Sequence, residues 1–278
     1  MPISTRHLDR RAATSPKLGA DVSGGAKYRF AKEYFNCRPI AVADGAGGAA
    51  TGVAADVNYI LGGSGYPIEQ YIIGTQTIIV PVLITTPQEG WNIGLDATDN
   101  DGWEYAFGPT IFQNLRGLSF KIGTDQAFYA KIKLAIADAS GTDDFIFGFR
   151  KQEAAQGTSV VTYTDFAGIG CNAAAAAMAI KLRTQLNTAA PTNTDTTQTW
   201  ADAAVKTLGV FVSAGGIVTY QINGAAPTVT AAFTFDDTDV VIPFIYLRYD
   251  TTTPGSVIAM GFECGLQSGG SGEDPAAL

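Results

Sequence analysis

The single histidine of the chain, His7, limits the acid–base chemistry that the protein could perform. It lies near the N-terminus, far from any predicted sheet. Ser-His-Asp and Cys-His sites require an imidazole within hydrogen-bond reach of the nucleophile. The sequence therefore excludes a nucleophilic site of this kind from the body of the chain.

Two carboxylates flanking a sugar would suffice for glycoside hydrolysis. The E-x-D-x-x-E strand motif of laminarinase-like enzymes, which places acidic side chains on one sheet face, is absent. The glycine clusters do not have the strand-loop-helix context that a phosphate-binding loop needs. We therefore predict a protein that is not an enzyme and has no catalytic residue and no cofactor.

Two acidic turns offer oxygen ligands. DATDNDGWE (96–104) combines carboxylates with a glycine that permits a sharp turn, as a calcium loop does. It departs from an EF-hand, because Ala97 occupies the first ligand position and Gly108 stands where the bidentate glutamate should be. A solvated acidic turn is the alternative, and FDDTD (235–239) is typical of a hairpin turn. No metal site is predicted. The oxygen-bearing residues of the first turn are Asp96, Asp99, Asn100 and Asp101.

Aromatic and sulfur-bearing side chains leave further alternatives open. Trp91, Trp103 and Trp200 would stack on sugar rings if exposed, or fill a sandwich core if buried. The three cysteines, Cys37, Cys171 and Cys264, form no CxxC pair and no zinc-ligand cluster. We expect them to be buried, reduced thiols.

Strands are the elements that position these residues. In AFYAKIKLAIAD (127–138) the apolar side chains alternate, while Lys131 and Lys133 fall on the opposite face, as one-sided burial of a strand requires. DFIFGFR (144–150) repeats the pattern, and the turn residues between the two runs predict an antiparallel pair. GIVTYQING (216–224) alternates and ends in Asn223-Gly224, a pair suited to a tight hairpin turn.

Further strands are predicted from TVTAAFTF (228–235), DVVIPFIYLRY (239–249) and VIAMGFECGL (257–266), and from YIIGTQTIIVPVLITT (71–86), which is too short to span a bilayer. CNAAAAAMAIKL (171–182) fits either a short helix or a strand. APTNTDTTQTW (190–200) is predicted to be a polar loop. Many strands without βαβ alternation indicate an all-β fold, an antiparallel two-sheet sandwich of jelly-roll type.

The predicted organisation has three parts. Residues 1–65, rich in glycine, alanine and charge, form an extended N-terminal arm with little secondary structure, residues 66–267 form the β-sandwich, and residues 268–278 form a flexible tail. The alternative for residues 1–65 is a flexible tail that partly packs on its own domain. The N-terminus has no apolar stretch of the kind found in secretory signals, which predicts synthesis and assembly in a cytoplasm.

Three stretches resemble structural proteins of tailed bacteriophages, especially marine ones, which have concanavalin-like or laminin-G-like jelly rolls. They are DNDGWEYAFG (99–108), FYAKIKLAIADASGTDDFIFGFRK (128–151) and AAPTVTAAFTFDDTDVVIPFIYLRYDTTTPGSVIAMGFECGLQ (225–267). The resemblance implies a homo-oligomeric component of the virion, such as a capsid decoration protein, with the major capsid protein or other virion proteins as partners. A lectin-like module of a fibre or capsid surface, with glycans as ligands, is the alternative.

Charge is distributed unevenly along the chain. Residues 1–40 hold eight Lys/Arg and three Asp/Glu, about +5, against ten and twenty-three, about −13, in the remainder. The acidic body disfavours a nucleic-acid partner. The basic arm predicts attachment to an acidic protein surface, unless its charges merely keep a glycine-rich tail soluble. The predicted contact residues are Arg6, Arg10, Arg11, Lys17, Lys27, Tyr28, Arg29, Phe30, Lys32, Tyr34, Phe35 and Arg38.

Overall fold

The computed structural model describes residues 27–30, 57–61, 67–73, 82–84, 90–93, 101–107, 119–139, 142–157, 159–172, 178–249 and 256–267. These residues form two antiparallel sheets that pack face to face, which confirms the predicted all-β sandwich. No helix among them is long and apolar enough to cross a membrane.

Sheet A contains seven strands in the described part of the chain. They are β1 (Lys27–Phe30), β4 (Val82–Ile84), β5 (Gly90–Asn92), β8 (Phe128–Ile136), β13 (Val205–Val212), β14 (Val218–Ile222) and β16 (Val257–Leu266). Their order is β14-β13-β8-β16-β5-β4, and β1 also pairs with β16.

Sheet B contains nine strands in the same ranges. They are β2 (Val57–Leu61), β3 (Pro67–Ile73), β6 (Gly102–Ala106), β7 (Phe120–Lys121), β9 (Thr142–Lys151), β10 (Phe166–Asn172), β11 (Met178–Gln185), β12 (Thr192–Trp200) and β15 (Val240–Tyr249). Their order is β12-β11-β10-β9-β15-β6-β3-β2, and β7 pairs with β15.

The core lies between the two sheets and is rich in aromatic rings. The Phe107 and Phe262 rings stack with centroids 3.9 Å apart, and Phe128 contacts both Phe120 and Phe149. Each fully buried side chain of this size contributes about 1.5–3 kcal/mol of transfer free energy. Cys171 and Cys264 are free thiols in this core, as predicted, whereas Cys37 lies outside the described residues.

The predicted pairing of the Phe128 and Phe145 runs is wrong. The two strands lie in opposite sheets, because β8 pairs with β13 and β16 whereas β9 pairs with β10 and β15. Their phenylalanines meet across the core, with the Phe128 and Phe149 centroids 5.0 Å apart. Turn residues between two strands are compatible with a crossing between sheets as well as with a hairpin.

In three other segments the structure settles an open alternative or contradicts a prediction. Met178–Gln185 is a strand, so the alternating pattern prevails over the alanines there. The predicted polar loop 190–200 is largely the strand β12, an edge strand on which Thr192, Thr197 and Thr199 are exposed and Thr196 and Trp200 are buried. The predicted strand 228–235 is irregular, because its backbone bonds to the β14 hairpin only near its C-terminal end, by the hydrogen bonds of Val218 N to Phe233 O and Phe235 N to Gly216 O.

Two pieces of the predicted arm belong to the sandwich. Lys27–Phe30 pairs with β16 in sheet A, and Val57–Leu61 pairs with β3 in sheet B. The expectation of an arm with little secondary structure therefore does not hold for these two strands, since their backbone groups complete sheet edges. The rest of 1–65 and the tail 268–278 lie outside the described residues, and the boundaries at 65 and 267 stay predictions.

Candidate functional site

The structure places four of the predicted arm residues at the edge of sheet A. Lys27, Tyr28, Arg29 and Phe30 make up β1, and Arg29 is the register partner of Glu263 on β16. The other predicted contact residues, Arg6, Arg10, Arg11, Lys17, Lys32, Tyr34, Phe35 and Arg38, lie outside the described residues.

The face of sheet A that points away from the core carries a polar row next to this edge, which we name the sheet A row. Glu263 on β16 is the register partner of Lys131 on β8, and the hydroxyl of Tyr129 donates a hydrogen bond to Glu263. The Lys131 ammonium lies 5.4 Å from the centroid of Tyr129 and 5.6 Å from that of Phe211. Tyr129, Lys131 and Glu263 are all buried.

Alternation along β8 explains the row. Ala130 and Ile132 point into the core, so Tyr129 and Lys131 must point to the opposite face, as the sequence predicted for the lysine. The predicted one-sided burial of this strand is wrong, because Tyr129 and Lys131 are buried as well. A buried charge is costly unless it is paired and hydrogen-bonded. Lys131 and Glu263 are register partners of opposite charge, and Arg29 is the register partner of Glu263 on its other side.

The outer face of sheet B carries a second polar network. Arg150 donates two hydrogen bonds to Oε1 of Glu104, from Nε at 2.9 Å and Nη2 at 2.7 Å, and the Tyr163 hydroxyl donates to Oε2. The guanidinium also lies over the Tyr163 ring, 4.3 Å from its centroid. Nη1 donates to the carbonyls of Lys151 and Glu153, which holds the start of the β9–β10 connection against the sheet.

Two groups of the network have shifted pKa values. Burial opposes the charge on Arg150, but Glu104, Tyr163 and Tyr71 together outweigh it, so the pKa of Arg150 is raised. Burial also raises the pKa of Tyr163 well above its ordinary value. Arg150 therefore stays charged and Tyr163 stays neutral near neutral pH. Sequence reasoning missed the network, although a lone charge within the apolar runs GWEYAFG and FIFGFRK was a usable signal.

A third cluster, which we name the Arg183 cluster, lies on the same face near the edge strand β12. Arg183 Nη1 donates to Asp144 Oδ1 at 2.8 Å and to the Cys171 carbonyl at 2.7 Å, and Nε donates to Asn193 Oδ1 at 3.0 Å. Asn193 is exposed, so the cluster reaches solvent on that side. Two outer positions of β10 are glycines, Gly168 opposite Arg183 and Gly170 next to it, which leaves room for Arg183 to reach Asp144.

The acidic turn 235–239 does not form a cation site. Asp239 is buried and its Oδ1 lies 2.6 Å from the ammonium of Lys151, which is also 3.0 Å from Oδ2 of Asp165. The lysine thus occupies the place between carboxylates that a cation would need. Among the described residues, no group of three or more His, Cys, Asp or Glu side chains is arranged to hold a metal ion.

The structure does not bring the other residues proposed from the sequence, the acidic turn 96–104 and the tryptophans, together in one site. In the turn 96–104, Asp101 is buried in the described part, whereas Asp96, Asp99 and Asn100 lie outside it. Trp103 and Trp200 are core residues, so neither is available to stack on a sugar. Trp200 donates its indole N–H to the Ala204 carbonyl at 2.8 Å. The side chain of Trp91 is not described.

Comparison with known proteins gives no family. No family model and no curated protein sequence matches the chain. Among solved structures, a protein of unknown function from Shewanella oneidensis MR-1 is 11% identical with a TM-score of 0.49, covering 94% of this chain and 98% of that one. The carbohydrate recognition domain of Emp47p is 13% identical with a TM-score of 0.44, covering 68% and 86%. The binding domain of botulinum neurotoxin DC, in complex with rat synaptotagmin II, is 10% identical with a TM-score of 0.42, covering 77% and 46%. We draw no functional conclusion from likenesses at this level.

Proposed function

We propose that this protein is a non-enzymatic accessory component of a tailed-phage particle, such as a capsid decoration protein, assembled in the host cytoplasm and docked on the head through its N-terminal arm. The observation that carries the proposal is the charge division of the chain. Eight of the eighteen Lys/Arg residues lie within the first forty positions, ahead of an acidic sandwich. Such a segment is steered toward negative potential on a partner surface.

The internal pairing of charges supports a binding role over catalysis. Glu104 pairs with Arg150, Asp144 pairs with Arg183, and Lys151 bridges two aspartates. Carboxylates held in this way are poorly placed to exchange protons with a substrate. They stabilise the sandwich and leave recognition to the arm and loops.

The pairing of β1 within the sandwich narrows the part of the arm that we propose to dock. Lys27–Phe30 pairs with β16, so the basic residues that precede this strand are the best candidates for contact with the particle. These are Arg6, Arg10, Arg11 and Lys17. Removal of all of 1–65 would also delete β1 and β2, and so would confuse docking with folding.

Deletion of residues 1–26 tests the proposal. The truncated protein should keep its thermal unfolding transition and lose binding to purified empty capsids. A matched variant tests the role of charge: joint replacement of Arg6, Arg10 and Arg11 by serine should weaken binding. Binding of the intact protein should also weaken as the salt concentration rises, because exposed charges are screened beyond about 8 Å at physiological ionic strength. Undiminished capsid binding by the truncated protein would overturn the proposal.

A glycan-binding role is the second candidate, and the Arg183 cluster is the observation that favours it. Arginine, carboxylate and amide groups that converge at a solvent-reaching rim are the polar types that fix a sugar's hydroxyl groups. Asn193→Ala removes the exposed member with little change to the buried pair. If the role is correct, a glycan panel should contain a ligand whose binding falls in Asn193→Ala and persists in Asp195→Ala, a neighbouring exposed control on β12.

A further inference from the structure

We propose that strand Lys27–Phe30 is exchanged between copies of this chain, so that the arm of one copy completes the edge of β16 in another. The inference concerns a second copy as the partner and does not depend on attachment to a phage particle. It starts from β1, a four-residue strand whose pairing in the described residues is with β16 alone.

The pairing transfers unchanged to a second copy. It consists of backbone pairing over Lys27–Phe30 against Phe262–Gly265, with Arg29 opposite Glu263. A neighbouring copy presents the same edge in the same register, so exchange loses none of these contacts. Exchange of an identical element between protomers is therefore a low-cost route to a dimer.

The chain between the two strands of the arm is long enough for exchange. β1 lies in sheet A, whereas the next described strand, β2, lies at the end of sheet B, and residues 31–56 connect them. At about 3.3 Å per extended residue, this connection can span at most roughly 85 Å. It includes the run ADGAGGAATG, whose glycines disfavour regular structure.

Charge favours contact between copies as well as within one. The first forty residues carry about +5 and the remainder about −13, so the arm of each copy is attracted to the body of any other. At the target edge, Glu263 provides a carboxylate directly opposite the arginine of the arm strand. Directly opposite residues of unlike charge stabilise an antiparallel pair.

Co-expression of two variants that each carry one introduced cysteine, in addition to the buried Cys171 and Cys264, tests exchange directly. One full-length copy carries Arg29→Cys and a second, distinguished by a larger tag, carries Glu263→Cys, both with Cys37→Ser. A disulfide between them requires the arm of one copy beside β16 of the other, because neither copy holds both new cysteines. Under oxidising conditions we expect a disulfide-linked heterodimer that is converted to single chains when a reductant is added. The pair Lys27→Cys with Glu263→Cys, two positions out of register, should give several-fold less.

A second measurement avoids substitutions within the sheet. Light scattering should find a concentration-dependent dimer for the unaltered chain. A chain lacking residues 1–30, first shown by its thermal unfolding transition to be folded without β1, should be a monomer. Exchange is overturned if the double variant Arg29→Cys/Glu263→Cys forms its disulfide within one chain while the co-expressed variants form none. It is also overturned if no disulfide forms in either experiment, or if the truncated chain dimerises as the full chain does.

Discussion

Arg150 and Glu104 form a fully buried ion pair on the outer face of sheet B, with two guanidinium nitrogens 2.9 and 2.7 Å from one carboxylate oxygen. They lie 46 positions apart in the chain. The strands that carry them, β9 and β6, do not pair directly, because β15 lies between them. The pair therefore ties three adjacent strands together across the sheet.

Breaking this pair should destabilise the fold strongly. Glu104→Gln leaves the Arg150 charge buried without a counter-charge, which costs about 3–5 kcal/mol. The double variant Glu104→Leu/Arg150→Met removes both charges and should be more stable than the single variant. Denaturant unfolding of the three proteins measures both effects, and a double variant less stable than Glu104→Gln would contradict the explanation.

Two buried tyrosines should respond oppositely to loss of the hydroxyl. Tyr163 donates to Glu104, so Tyr163→Phe should lose about 1.5–3 kcal/mol, the range for a hydrogen bond to a charged group. The hydroxyl of Tyr220 is buried and has no hydrogen-bond partner among the described residues, so Tyr220→Phe should be neutral or stabilising. Thermal and denaturant unfolding of the two variants provides the comparison. Equal losses would refute it.

Stability should fall as the pH rises above about 10. Burial raises the pKa values of Tyr105, Tyr220 and Tyr246 above their ordinary value in the folded state. Unfolded tyrosines ionise near pH 10, so above that pH the folded state binds more protons and stability decreases with pH. Below pH 10 these groups contribute no pH dependence.

Absorbance at 295 nm, which reports tyrosinate, should therefore rise for these residues together with the loss of circular dichroism. Ionisation of all eleven tyrosines well before unfolding would contradict this account.

The turn after β14 should require its glycine. Asn223 and Gly224 have φ angles of 52° and 80°, and Ala225 N donates to the Ile222 carbonyl at 3.2 Å. A left-handed conformation costs a residue with a side chain about 1–2 kcal/mol, so Gly224→Ala should destabilise by that amount. Gly215 is the matched control, since an added methyl group there meets no atom within 4 Å. Comparable losses in both variants would mean that the turn is not the cause.

Local pattern in the sequence determined the fold class and the strands with regular alternation. The runs that became β8, β15 and β16 alternate or are continuously apolar, and Asn223-Gly224 marks a turn by its residue types. These signals are local because side-chain direction in a strand follows from neighbouring residues alone. The contrast between a basic N-terminal segment and an acidic remainder, which supports an arm, was also evident from the distribution of charged residues in the sequence.

The tertiary structure decided which strands meet. The runs before and after the connection 137–141 enter opposite sheets, the threonine-rich segment 192–200 becomes an edge strand, and 228–235 does not become a strand. The candidate site was likewise predictable in part from the sequence and in part only from the structure. Sequence identified the basic residues of the arm, but the register of Arg29 with Glu263 and the pairing of Glu104 with Arg150 depend on strands distant in the chain. Alternation fixes the face on which a side chain lies, whereas its partner across the sheet is set by non-local pairing, which no short stretch of sequence encodes.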